Sequence, residues 1–257
     1  AYAGMIESMD DSIGAVQATL KRLKLEENTV VIFFSDNGGH GGVTSNAPLR
    51  GSKGMLYEGG IREPLVVKWP GVTKPGSTSA RPVNLLDIYP TLAELAGLPV
   101  AKKLEGRSLV PVLRDPARGH KPAAFTQQYR GKAPGYSIRT ERRRYTEWIE
   151  NGRVIAQELY DYAIYPNETT NLAAQSKHAE FAQRLSRQLR KGLNLPPRFA
   201  RAFSSHMVLQ QGQPLPVWGT AKPEAKVTVT LGTRKQTATA DANGKWKVNF
   251  PALKAAG

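Results

Sequence analysis

Two features of the sequence predict an α/β domain followed by a partial all-β sandwich. Apolar residues Met9, Ile13, Val16, Leu20 and Leu23 recur at intervals of three and four, and a continuous apolar run at 30–34 comes soon after them. Helix followed by strand is half of an α/β repeat. Past Leu195-Pro196-Pro197 the text changes to short alternating segments set off by turn formers, which is how antiparallel strands read. The boundaries are therefore 1–194 for the α/β part, 195–198 for a linker and 199–257 for the partial sandwich.

The first element is an amphipathic helix over 2–24 with one stripe to bury. Asp10 and Asp11 sit early in it and suit its dipole rather than a metal. Val30, Val31, Ile32, Phe33 and Phe34 form a run short enough for a strand buried on both faces of a parallel sheet. Leu65 to Trp69 reads as another strand, stopped by Pro70-Gly71. Residues 84–97 read as a helix with Pro90 near its start and Gly97 as its stop, and Asp87 is its cap. Alternation between 123 and 172 suits a small antiparallel sheet, and Arg142, Arg143 and Arg144 read as its solvated edge. Ser176 to Leu193 is a helix with Phe181, Leu185 and Leu189 on one face. In the final segment, Leu215 to Gly219, Lys226 to Leu231, Gln236 to Ala240 and Lys245 to Val248 are strands, with Asp241-Ala242-Asn243-Gly244 as a hairpin turn.

The chemistry is concentrated between 29 and 64. Ser35-Asp36-Asn37-Gly38-Gly39 stops the apolar run, and ligands of open α/β sheets gather outside the carboxyl ends of strands. Asp36 offers a carboxylate and Asn37 an amide carbonyl, both of which suit a hard cation such as Ca²⁺ or Mg²⁺. The same five residues also favour a metal-free turn. Asn167-Glu168-Thr169 fits an N-glycosylation pattern and equally a capping turn.

Composition excludes several classes. With 36 Lys+Arg against 21 Asp+Glu, the formal charge of +15 attracts polyanions. The basic residues are scattered, with no nucleic-acid-reading motif, so an anionic sugar is the better partner and nucleic acid is not expected. No apolar run approaches the roughly 20 residues of a membrane span. The absence of cysteine removes disulfides and thiolate metal sites.

SDNGG at 35–39, taken with RGSKG at 50–54 and YEGGIREP at 57–64, resembles the sulfatase family of the alkaline phosphatase superfamily. In that family the Asp-Asn pair ligates a divalent cation, usually calcium, and the lysine contacts the sulfate. The resemblance gives these roles to Asp36 and Asn37 and to Lys53. His40 either faces substrate or is an exposed loop histidine, and Glu58 with Arg62 is a structural ion pair behind the site. Residues 135–140, 144–148, 158–161 and 171–172 resemble the C-terminal subdomain of iduronate-2-sulfatase-like enzymes. SSHMVLQQGQPLPVWG with the later ADANGKW resembles the N-terminal β-sandwich module of bacterial sialate O-acetylesterases, where His206 has no partner serine and is given no catalytic role.

The fold so implied is α/β: a partial alkaline-phosphatase-like sulfatase sheet with helices and a small antiparallel subdomain, plus a partial sandwich. The family's nucleophile is a formylglycine made from cysteine or serine in a CxPSR-type motif, and these 257 residues contain no such motif. The resemblance therefore implies the C-terminal part of a sulfatase acting on sulfated sugars, inactive by itself, from a periplasmic or secreted protein whose signal peptide lies upstream. Two alternatives are a non-catalytic chain that binds anionic glycans and a phosphoryl-transfer relative of the same superfamily.

Overall fold

The structure is a computed structural model and describes residues 2–101, 103–129, 133–150, 153–193, 198–200, 203 and 212–252. Two compact units divide it: 1–124 with 139–143 and 161–170, and 125–138 with 144–160 and 171–257. The expected linker at 195–198 and His206 fall largely or wholly outside the described residues.

The first unit opens with helix α1 (Tyr2–Arg22) and strand β1 (Val31–Phe34). A single turn, α2 (Glu58–Ile61), precedes strand β2 (Leu65–Lys68). Two expectations change here. The run at 31–34 is half-buried and pairs antiparallel with β2, Phe33 opposite Val66, rather than lying buried in a parallel sheet. The reason is connectivity: the chain leaves β1, makes the loops of 35–64 and returns beside it, with Ser35 N–H donating to Pro64 O at 3.3 Å. The apolar stripe of α1 is also uncovered within this unit, since Met9 is 42% and Val16 57% exposed. A 21-residue helix is about 31 Å long, and two four-residue strands of about 13 Å offer too little surface to cover it.

Helix α3 (Ile88–Leu95) follows a 3₁₀ turn at Leu85–Asp87, and α4 (Val110–Arg114) comes next. Asp87 caps as its position implied: it forms a capping box with Asn84, whose N–H donates to its carboxylate at 3.0 Å. The same carboxylate accepts from Arg107 N–H at 2.8 Å and from Lys121 Nζ at 2.7 Å, fully buried. Burial pushes the Asp87 carboxyl up, but the Lys121 ammonium and the two backbone amides outweigh it and hold the group below its ordinary value.

Strands β3 (Ala123–Gln128), β4 (Gly135–Thr140), β5 (Arg143–Glu150) and β6 (Arg153–Asp161) form one antiparallel-subdomain sheet in that order. Here the arginine run is not a solvated edge. Arg142 lies in the turn before β5, while strand alternation sends Arg143 and Arg144 to opposite faces, and Arg144 is fully buried. Arg142 and Arg143 both grip Asp161, at 2.8 and 2.9 Å. In the second unit, α5 (Ala179–Leu193) buries Leu185 and Leu189. From the same helix, Ser186 and Arg190 reach the buried Glu147, at 2.5 and 2.6 Å.

The remaining strands are β7 (Arg198–Phe199), β8 (Leu215–Thr220), β9 (Lys226–Leu231), β10 (Arg234–Thr239) and β11 (Lys245–Phe250). They form two sheets, β9–β10 and β11–β8–β7, over a core of Val217, Val227, Val229, Trp246, Val248 and Phe250. The turn at 241–244 forms as expected, with Asp241 Oδ1 accepting from Asn243 and Lys245 N–H, each at 2.8 Å. It does not close a hairpin. β11 pairs with β8 instead of β10, so the turn carries the chain from one sheet to the other, as a sandwich requires.

Candidate functional site

Asp36 and Asn37 follow the carboxyl end of β1 by two and three residues, where the chain bends. Ser35 Oγ donates to Asn37 O at 2.9 Å and holds that bend. Gly38 N–H donates to Gly60 O at 3.1 Å, and a Cβ on Gly38 would lie 1.9 Å from Gly59 O, so only glycine permits this approach. Gly59 and Gly60 are crowded from the other side by the carbonyls of Arg50, Gly51, Ser52 and Met55. The GG pairs of SDNGG and YEGGI thus interlock, backbone on backbone.

Lys53 joins this assembly through its main chain. Its N–H donates to Gly39 O at 3.1 Å, which docks the lysine loop on the loop of Asp36 and Asn37. Asn46 clasps the same point: its Oδ1 accepts from Gly39 N–H at 3.0 Å, and its Nδ2 donates to Gly39 O at 3.0 Å and Gly51 O at 3.2 Å. The side chains of Asp36, His40 and Lys53 are exposed, and Asn37 is half-buried, its Nδ2 donating to Gly38 O at 3.3 Å. His40 turns back on its own loop, Nδ1 accepting from Gly42 N–H at 3.1 Å. That bond gives the ring a local structural task.

Behind the loops lies a buried ionic cluster. Glu58 meets Arg139 along one guanidinium edge, Nε at 3.1 Å and Nη2 at 3.2 Å, while Arg62 is only a 3.7 Å, largely exposed neighbour. The expected Glu58–Arg62 pair exists, but Arg139 is the stronger partner because its planar fork matches a carboxylate. Arg139 also stacks on the Tyr162 ring, 3.9 Å from its centroid, and Tyr162 Oη lies within 3.2 Å of Glu58 and 2.9 Å of Glu168. Glu168 is fully buried at φ 55°, which turns its carboxylate inward to accept from Glu58 N–H at 2.8 Å. Its carbonyl accepts from Arg50 Nη1, also at 2.8 Å. Glu168 thereby fixes both ends of the segment that carries Lys53.

Sequence reasoning missed Asn46, Arg139, Tyr162 and Glu168. Asn46 stood in a turn-forming Ser-Asn-Ala-Pro stretch, and Glu168 lay inside the glycosylation pattern, where the exposed Asn167 drew the attention instead. Electrostatically, the cluster is balanced by its arginines, whereas the Asp36 side is not. Burial first, and then the Asp36 carboxylate, push the Glu63 carboxyl up. No three acidic or imidazole groups among the described residues gather as a metal cluster. Asp36 and the Asn37 carbonyl are hard oxygen donors that fit calcium or magnesium in kind, and they supply only two of the six to eight ligands calcium takes.

A sulfatase profile matches residues 1–98, and a profile described as N-sulphoglucosamine sulphohydrolase, C-terminal, matches 52–194. A sulfatase of Formosa agariphila is 44% identical over 127 residues, covering 44% of this chain and 23% of that protein. A solved structure described as complexed with its substrate D-glucosamine-2-N,6-O-disulfate superposes with a TM-score of 0.64 at 27% identity, covering 73% of this chain and 39% of the other. The phosphonate monoester hydrolase of Agrobacterium radiobacter gives 0.62 at 28% identity, covering 75% and 40%. The chain spans under half the length of each, and the fold they share with it is alkaline-phosphatase-like.

Proposed function

The chain belongs to the sulfatase family, and on that premise we propose that residues 1–194 carry the metal-holding and sulfate-contacting part of a sulfatase site directed at sulfated sugars of the glycosaminoglycan kind. Asp36 and Asn37 hold a divalent cation, calcium or magnesium, and Lys53 meets the sulfate. The observation that carries the reading is the 3.1 Å bond from Lys53 N–H to Gly39 O, which draws the lysine loop to the carboxylate loop. The bound cation supplies Lewis-acid polarisation of the sulfate oxygens.

Lys53 draws the anionic ester in and opposes charge that builds on its oxygens. Asn46 and Glu168 keep the loops in register. Without a nucleophile no such charge develops, so the lysine then favours substrate and product sulfate alike, and uniform binding lowers no barrier. A covalent nucleophile is needed for that, and the 257 residues hold no cysteine and no CxPSR-type segment from which a formylglycine could form. This chain by itself therefore binds sulfate esters without hydrolysing them. The likeness to a phosphonate monoester hydrolase favours a second reading, transfer at phosphorus, since a tetrahedral anionic ester would meet the same cation and ammonium.

Residues 199–257, beyond the span of both profiles, are proposed as a separate accessory sandwich resembling that of sialate O-acetylesterases, joined through 195–198. A periplasmic or secreted location suits polysaccharide substrates. The test is calorimetry and turnover on the purified chain with calcium. The expected result is no release of nitrophenol from nitrophenyl sulfate, together with binding of a sulfated glucosamine that weakens about tenfold in Lys53→Ala. Equal affinity in that variant, or turnover that depends on Asp36, would overturn the reading; tighter binding of phenylphosphonate would favour the second one.

A further inference from the structure

The three-stranded sheet β11–β8–β7 has an inner face sealed by Val217, Trp246, Val248 and Phe250, so the alternate residues must face outward. Register sets them opposite one another: Lys245 across from Thr220, Lys247 across from Trp218, and Asn249 across from Pro216. Trp218 is 41% exposed, although an indole is among the side chains that gain most from burial. It is not loose, because Phe203 meets it edge-on with ring centroids 4.8 Å apart. Lys245, Lys247 and Asn249 are all exposed. Among the described residues, the side chains of Trp218, Lys247 and Asn249 make no hydrogen bond or ion pair.

We infer that this outer face is a saccharide-binding surface for an anionic sugar, in which a pyranose ring lies on Trp218 and its sulfate or carboxylate is met by Lys247 and Lys245. Directly opposite residues on antiparallel strands stand about 4.5–5.5 Å apart at Cβ. An ammonium at that spacing reaches a ring substituent of a sugar stacked on the indole. The braced ring gives a flat apolar contact at little entropic cost, and Asn249 offers hydrogen bonds to hydroxyls. Charge decides the class of sugar: among the described residues, β8 and β11 put two lysines and no carboxylate on this face, so a neutral glycan would leave both ammoniums unused. The surface lies outside the span matched to the sulfatase family, and the inference does not depend on the function proposed for that span.

A heparin-derived tetrasaccharide is the probe and cellotetraose its uncharged control, with binding read from the Trp218 indole N–H resonance of the unaltered chain. The tetrasaccharide is expected to shift that resonance and cellotetraose to leave it in place. Trp218→Ala should weaken binding about fivefold or more, from the lost ring contact. Lys247→Gln should weaken it about threefold and flatten its salt dependence. Lys226→Gln, which removes one charge from the other sheet, should change nothing. A Trp218 resonance unmoved by the tetrasaccharide overturns the inference. So does equal loss in Lys226→Gln and Lys247→Gln, which would leave only net charge, or equal binding of cellotetraose.

Discussion

Four carboxylates of the first unit fall into two groups that differ in what surrounds them. Glu58 and Glu168 are buried behind the lysine loop and met by Arg139, Tyr162 and a backbone amide, and Asp87 is saturated in the same way by Lys121 and two amides. Asp36 is exposed, among the described residues it forms no ion pair, and its charge adds to the burial that pushes up the Glu63 carboxyl. Buried charge is tolerated only when paired and hydrogen-bonded. The first group holds loops in place, and Asp36 has no such partner among the described residues.

If that contrast is right, removal should destabilise the first group's unit strongly and leave stability at Asp36 almost unchanged. The largest effect is expected at Asp87: Asp87→Ala strands a nearly buried ammonium and two amides, and stability measured by urea unfolding should fall by about 3–5 kcal/mol. At Glu168 the chemistry can be divided. Glu168→Ala leaves the buried Glu58 N–H without its acceptor and should cost about 1–3 kcal/mol, with faster hydrogen exchange at Glu58 and Gly59. Glu168→Gln keeps an oxygen for that amide and should recover most of the protection.

Acid sharpens the same comparison. Asp87 and Asp161 both lie below their ordinary values in the folded state despite burial, because Lys121 and the amides of Arg107 and Asn84 act on the first, and Arg142, the Ala163 amide and Arg143 on the second. Lowered carboxyls mean the folded chain binds fewer protons than the unfolded one. Their contribution is therefore complete above the ordinary Asp value of about 3.9 and is lost as pH falls through the lower folded values. Urea midpoints should decline in the acid limb, and Asp87→Asn should shallow that decline. The smallest effect is expected at Asp36, where replacement by alanine should change stability by under about 0.5 kcal/mol.

The sequence made the local pieces legible. Asp87 as a cap, the stop at Gly97, the buried stripe of Leu185 and Leu189 and the turn at 241–244 all depend on neighbours a few residues away. What it hid depends on partners far along the chain. The antiparallel return of β2 to β1 follows from the loops of 35–64, which carry no periodic signal. Arg144 reads as one of three like arginines until strand alternation buries it. Glu168 is 110 residues from the amide it holds, and its inward turn needs a left-handed backbone that no composition announces. Asp36, Asn37 and Lys53 were visible as residues, whereas the hydrogen bond that unites their loops was not.

The most direct test is a calcium titration of the 257-residue chain followed in ¹H–¹⁵N spectra, read at the Asn37 side-chain amide and the backbone amides of Asp36 to His40. Two protein ligands should hold the ion weakly, with a dissociation constant of about 10⁻⁴–10⁻³ M or above. The expected result is saturable shifts confined to that loop and to the residues around Lys53, abolished in Asp36→Ala. Spectra that calcium leaves unchanged, or shifts that persist in Asp36→Ala, would contradict the assignment of Asp36 and Asn37 as the metal-holding pair.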